Sequence, residues 1–186
     1  MRIAVVAGTN REGSQTLRLA TQLAERYRQA GATVTLLDLR GLPPGIATPG
    51  AYAEKPDGFN VFADAVLEAD GLCVVTPEYN GGMPGILKLF IDMLPFPASF
   101  HHRPVCFVGL AAGMWGALRP VEQLQAVFGY RNAHVFPDRV FLPRVSVGLD
   151  DQGWPTDPAV AALLTRQTTD FVAFCAALAP LRLPAV

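Results

Sequence analysis

The feature that most constrains this chain is a set of apolar runs lacking the in–out alternation of half-buried strands. Arg2–Ala7 (RIAVVA), Gly71–Thr76 (GLCVVT) and Pro104–Ala111 (PVCFVGLA) read this way, and Thr33–Leu39 and Ala133–Leu142 complete a set of five. Strands of this kind are covered on both faces, as in a parallel sheet flanked by helices. Helical periodicity fills the intervals. After Ser14, which suits an N-cap, Leu17, Ala20, Leu23, Ala24 and Tyr27 recur at helical spacing, with Arg18, Gln22, Glu25 and Arg26 facing out. Gly31 stands at the usual stop position.

Further helices are predicted over Asn60–Ala69, Pro84–Leu94 (with proline at its first position), Gly116–Phe128 and Asp157–Leu178. Residues 41–57 carry four prolines among several glycines and read as a loop without regular structure. Repeated βα units imply an α/β fold, a three-layer α/β/α sandwich around a five-stranded parallel sheet. The common order for five strands is 2-1-3-4-5, and ligands then sit outside the carboxyl ends of the strands at the point where the order reverses. Function is therefore expected in the loops after Ala7, Thr76 and Leu110.

Composition narrows the class. A chain of 186 residues fits one domain spanning 1–186, and 51% apolar against 17% charged residues allows a sizeable core. A net charge of −1 with no Lys/Arg cluster argues against nucleic acid. No apolar run is long enough for membrane insertion. Cys73, Cys106 and Cys175 are widely spaced among apolar neighbours and read as buried thiols, so a reducing cytoplasm is the expected compartment. His101-His102 lies beside Arg103 without carboxylate or Cys partners at ligand spacing, so no metal site is expected. Nothing places Ser14, His134 and an aspartate together as a catalytic triad.

The loop Gly8–Thr16 offers glycines, hydroxyls, Arg11 and the free N–H groups of a helix start. A phosphomonoester needs such a set, because it presents nearly two negative charges and three acceptor oxygens. Neither G-x-G-x-x-G nor G-x-x-x-x-G-K-[ST] is present. By itself the loop could equally be an ordinary strand-to-helix turn. The second loop, Thr76-Pro77-Glu78-Tyr79-Asn80 followed by Gly81–Lys88, crowds polar groups and an aromatic at the end of strand 3.

The string P-E-Y-N-x-x-x-P-G-x-L-K-x-x-I-D from Pro77 to Asp92 resembles the NADPH-dependent FMN reductase family, flavodoxin-like quinone, azo-dye and chromate reductases. The first loop is similar to the family's G-S-x-R-x-x-S-x-N, with Thr9 for the first Ser and Thr16 for Asn. The resemblance implies that Thr9, Arg11, Ser14, Gln15 and Thr16 hold the FMN phosphate. It implies that Pro77, Glu78, Tyr79, Asn80 and Gly81 line the isoalloxazine, largely through backbone groups at its pyrimidine end. Ala112 and Gly113, in the loop Ala111–Ala117, correspond to the family's small-residue loop beside the flavin; Ala112 and Trp115 depart from its Ser and Gly.

The implied activity is oxidation of NAD(P)H through FMN, with reduction of a quinone or similar flat acceptor by a ping-pong cycle and no catalytic side chain. The rival is a flavodoxin-type electron carrier, usually strongly acidic, which a net charge of −1 disfavours. A receiver-type signalling domain would need an Asp at the end of strand 3, where this chain has Thr76-Pro77. A homodimer or homotetramer is also expected. Family resemblance implies it, and in Pro84–Leu94 the non-apolar positions Gly85, Lys88 and Asp92 make one narrow stripe, leaving a wide apolar face for an interface.

Overall fold

The computed structural model describes residues 1–181. Its parallel sheet comprises β1 (Arg2–Ala7), β2 (Thr33–Asp38), β3 (Gly71–Pro77), β4 (Pro104–Leu110), β5 (His134–Val135) and β6 (Val140–Leu142). The order is β2-β1-β3-β4-β5, the order expected for five strands, with an additional β6 also on β4. In register, Ile3 lies between Val34 and Gly71, and Cys73 lies beside Cys106.

Two cores explain why the strands show no alternation. Ile3, Val5 and Ala7 join α1 (Gln15–Gln29) and α6 (Pro158–Leu178) in one core. Ala4 and Val6, their neighbours in β1, join α2 (Phe59–Glu68), α3 (Gly85–Met93) and α4 (Leu118–Tyr130) in the other. Successive strand residues point to opposite faces, so a sheet with helices on both sides needs apolar residues at every position. The three cysteines lie in the first core and are free thiols. Burial pushes both the Tyr27 hydroxyl and the Cys106 thiol, 3.4 Å apart, well above their usual pKa ranges, so both stay protonated.

Helix ends follow local chemistry. Ser14 Oγ accepts from the Leu17 N–H at 3.2 Å, satisfying one orphan donor of α1. At the far end Gly31 takes φ +86°, and the Gly31 and Ala32 N–H groups reach the Arg28 and Tyr27 carbonyls. Pro158 opens α6, and the Asp157 carboxylate accepts from the Ala159 N–H at 2.8 Å.

Several expectations need correction. Ala133–Leu142 is not one strand: the Phe136 N–H still reaches Val105 O of β4, but residues 137–139 leave the ladder before β6, where Pro137 has no N–H to contribute. Residues 41–57 are not irregular throughout, since 3₁₀ turns form at Leu39–Gly41, Pro44–Ala47 and Pro49–Tyr52. Pro44 and Pro49 start two of them, where a missing N–H does no harm. Pro84 caps α3 instead of occupying its first turn. The helix expected from Gly116 begins at Leu118, because Gly116 and Ala117 are left-handed (φ +58° and +68°). A four-residue helix, α5 (Val145–Gly148), had no counterpart in the sequence reading.

The wide apolar face of α3 is not bare. Leu87, Phe90, Ile91 and Met93 are buried within the chain, as are Leu94 and Phe100 beyond them. Phe59 and Phe62 of α2 meet the Phe90 ring edge-on, Leu42 and Ile46 of the turns after β2 share the same core, and Phe100 packs on Phe128. The surplus face is closed by α2 and the chain's own turns, so it gives no support to an interface there. Phe96 alone projects from this region, 73% exposed.

The amino edge of the sheet is organised around one buried arginine. Arg103, buried just before β4, donates to the carbonyls of Ser99 (2.6 Å), Leu67 and Ala98 (both 3.2 Å), and also to Ala69. The chain's three histidines meet there too, with His102 Nδ1 3.2 Å from His134 Nε2 and the His101 ring against His102. Burial and then the neighbouring His102 and His101 hold His134 below the usual histidine pKa.

Candidate functional site

At the carboxyl edge, β1 ends on Gly8, whose N–H donates to Val75 O of β3 at 2.8 Å. A Cβ on Gly8 would stand 2.8 Å from that carbonyl oxygen and 2.9 Å from Leu87, so only glycine lets the chain leave the sheet here. The chain then turns sharply, with the Thr9 N–H on Ala7 O at 2.8 Å. Thr9 is buried. Its hydroxyl lies 2.7 Å from the Tyr79 hydroxyl and accepts from the Arg11 N–H at 3.2 Å, so the first and second loops are joined by one hydrogen bond.

Beyond Thr9, Arg11 is exposed and makes no ion pair among the described residues. The N–H groups of Gln15 and Thr16, in the first turn of α1, have no acceptor among the described residues. Such a turn carries partial positive charge and open donors. The Gln15 side chain is engaged by Arg18, which donates to Oε1 at 2.7 Å.

The second loop is a tight turn. The N–H of Tyr79 donates to Gly82 O and that of Gly82 to Tyr79 O, both at 3.0 Å, with Asn80 and Gly81 between them at φ +52° and +79°. Asn-Gly is the pair such a turn favours, because both central residues need positive φ. The turn uses its own outer donors and leaves the Asn80 and Gly81 N–H groups without acceptors among the described residues. Glu78 Oε1 accepts from Arg119 of α4 at 3.1 Å; its Oε2 is buried and without a partner among the described residues.

The third loop leans on β6. Ala111 N–H donates to Leu142 O, Arg144 N–H to Gly113 O, and Val145 N–H to Ala111 O, at 3.0–3.1 Å. Trp115 is 55% exposed and no part of the core.

These loops enclose a cleft of about 460 Å³, within the roughly 300–1,000 Å³ usual for small-molecule sites. Arg11, Ser14, Gln15 and Thr16 line one wall, and Pro77, Glu78, Tyr79 and Ala112 the others, all singled out in the sequence. Thr9, Asn80, Gly81 and Gly113 do not line it: Thr9 lies behind the wall, the next two form the turn tip, and Gly113 is tied back to Arg144. The reading missed Glu12 and Gly13 in the first loop, Leu110 and Ala111 at the end of β4, and Val145 and Ser146. The last two reach the cleft through pairing with the third loop, which leaves no local signal. No group of His, Cys, Asp and Glu able to hold a metal occurs among the described residues.

A doubly covered parallel sheet with a cleft at the β1/β3 switch point defines a protein of flavodoxin-like fold, a class whose ligands sit at that point. Consistent with that class, the flavoenzyme NAD(P)H:(acceptor) oxidoreductase FerB from Paracoccus denitrificans superposes with TM-score 0.76 over 95% of this chain and 97% of its own, at 22% identity. Residues 1–146 match the NADPH-dependent FMN reductase family, and the chain belongs to it. It is 31% identical over 133 residues to a 2-hydroxy-1,4-benzoquinone reductase from Burkholderia sp, covering 70% of this chain and 71% of the relative. It is 28% identical to an NAD(P)H-dependent FMN reductase from Pseudomonas aeruginosa over 90% and 91% of the two chains. Membership makes the chain an oxidoreductase using FMN with NAD(P)H as donor, not a carrier alone.

Proposed function

We propose that this chain, as a single FMN-binding domain, reduces quinones or similarly flat acceptors at the expense of NAD(P)H in alternating half-reactions. The observation that carries it is the pair of acceptor-free donor sets, one on α1 and one on the 79–82 turn, on loops tied by the Thr9–Tyr79 hydrogen bond. A phosphate dianion suits the first set: the Gln15 and Thr16 amides, the hydroxyls of Ser14 and Thr16, and Arg11 for charge. Thr9 positions that set from behind. The carbonyl edge of a flavin suits the second: Pro77, Glu78 and Tyr79 form the wall, Ala112 leaves room for a ring, and a ring reaching past the cleft lining to the turn tip would meet the open Asn80 and Gly81 N–H groups.

FMN, when bound, supplies the two-electron chemistry. The protein binds, orients and leaves one face of the cleft open, so donor and acceptor take the same slot in turn. The name of the Burkholderia relative supports a quinone as acceptor. With the FMN-loaded protein, NADPH and benzoquinone should give parallel double-reciprocal lines. Intersecting lines would reject the shared slot, and FMN binding without NAD(P)H oxidation would return the carrier reading.

A homodimer or homotetramer in the cytoplasm completes the proposal. Met114, Trp115 and Val147, exposed beside the third loop and α5, are surface a second copy would cover, and the free buried thiols suit a reducing compartment. No described helix is long and apolar enough to cross a membrane. Light scattering at micromolar protein should give at least twice the 19.9 kDa chain mass; a 19.9 kDa species would reject the oligomer.

A further inference from the structure

We propose that Arg119 and Gln123 of α4 are positioning residues that fix the tilt of the 78–83 loop, and so aim its free N–H groups at the flavin. This rests on the function proposed above. The two side chains are four residues apart and so lie on one face of the helix. Arg119 Nη1 meets Glu78 Oε1 at 3.1 Å at the start of the loop, and Gln123 Oε1 accepts from the Met83 N–H at 3.0 Å at its end. Between them the loop passes close to both. A Cβ on Gly82 would stand 3.4 Å from Gln123 Oε1, and one on Gly81 3.9 Å from Arg119 Cδ. The mutual Tyr79–Gly82 bonds set the shape of the turn but not its angle to the sheet. Tyr79 and Thr9 hold it from the first loop; Arg119 and Gln123 hold it from α4.

The clamp contributes little to the fold. Arg119 is half-exposed and Gln123 exposed, and ion pairs with a solvated partner add little stability. Its electrostatic role is larger. Glu78 Oε2 is buried with no partner, and Arg119 is the one cation paired with that carboxylate among the described residues. A carboxylate at the cleft wall opposes the negative charge a flavin gains on reduction, and Arg119 offsets it.

FMN titration and potentiometry of purified proteins test this. Arg119→Met and Gln123→Leu should each weaken FMN binding about fivefold, while the flavin-free melting temperature stays within about 2 °C of the parent. Without flavin, hydrogen exchange at 80–83 should speed up in both. Arg119→Met should also lower the midpoint potential of bound FMN, and adding Glu78→Gln should restore it, which a purely structural role would not do. Parent-like affinity and potential in both single variants, or an affinity loss matched by melting of the flavin-free protein, would overturn the clamp. A parent protein that fails to bind FMN would instead overturn the function, and the clamp with it.

Discussion

The two edges of the sheet are built on opposite terms. At the amino edge, Arg103 spreads its guanidinium over four carbonyls and the histidines pack on one another, although Ser99 Oγ and Arg131 Nε are buried there without hydrogen-bond partners among the described residues. At the carboxyl edge, among the described residues, Asn80, Gly81, Gln15 and Thr16 hold N–H groups with no acceptor and Arg11 stands without an ion pair. Open donors cost little while water reaches them, and they become an asset once an anion or a carbonyl replaces that water. One edge closes the fold, and the function proposed above assigns the other to a ligand. Mutations at the two edges should therefore separate stability from binding.

The largest effect is expected from Arg103→Met. Stripping a buried guanidinium from its carbonyls should cost about 3 kcal/mol and lower Tm by roughly 6–12 °C, while the folded fraction binds FMN as before. A calorimetric scan with and without FMN checks this, and a loss of affinity at unchanged Tm would break the contrast. Next is Arg11→Glu. Losing a charge-assisted contact and adding repulsion should weaken FMN binding by on the order of 10–100-fold with flavin-free Tm unchanged. Riboflavin, without a phosphate, should barely register the change in a fluorescence titration.

Tyr79→Phe is smaller. It removes the single hydrogen bond between the two loops, worth about 0.5–1.5 kcal/mol, and should appear as faster hydrogen exchange at 9–12 and a several-fold weaker FMN complex. The smallest is a pH effect at the amino edge. His134 has a lowered pKa in the folded chain, so the unfolded chain takes up its proton first. The stability this contributes is present above the ordinary histidine value of about 6.5 and is lost as pH falls through the lower folded value. Melting curves from pH 7 to 5 should fall less steeply for His134→Gln than for the parent.

The sequence was most legible where one physical demand acted alone. β1, β3 and β4 are covered on both faces, and their apolar runs mark their extents almost to the residue. The loops that enclose the candidate cleft were legible through residues with a local signature: Ser14 as a cap at the start of α1, and the polar and aromatic run Glu78-Tyr79-Asn80 at the end of β3. What escaped depended on distant pairing. Val145 and Ser146 enter the cleft because Arg144 and Val145 bond to Gly113 and Ala111, far away in the chain. The α3 face read as exposed because the packing of α2 against it is a long-range contact, and the other segments that cover it, after β2 and after α3, carry no regular pattern. The break at Pro137 was visible as a residue, but the flanking apolar positions outweighed it.

That break has a use in the crowded cell. A sheet ending on a long straight strand offers its unpaired backbone as a template for another chain. Here the border beyond β4 is two short pieces, His134–Val135 and Val140–Leu142, joined by a segment containing Pro137. An incoming strand would find only two or three residues of matching backbone before losing register. The discontinuity thus protects this border against edge-to-edge polymerisation, and filling it in with a regular strand would trade tidiness for a tendency to aggregate.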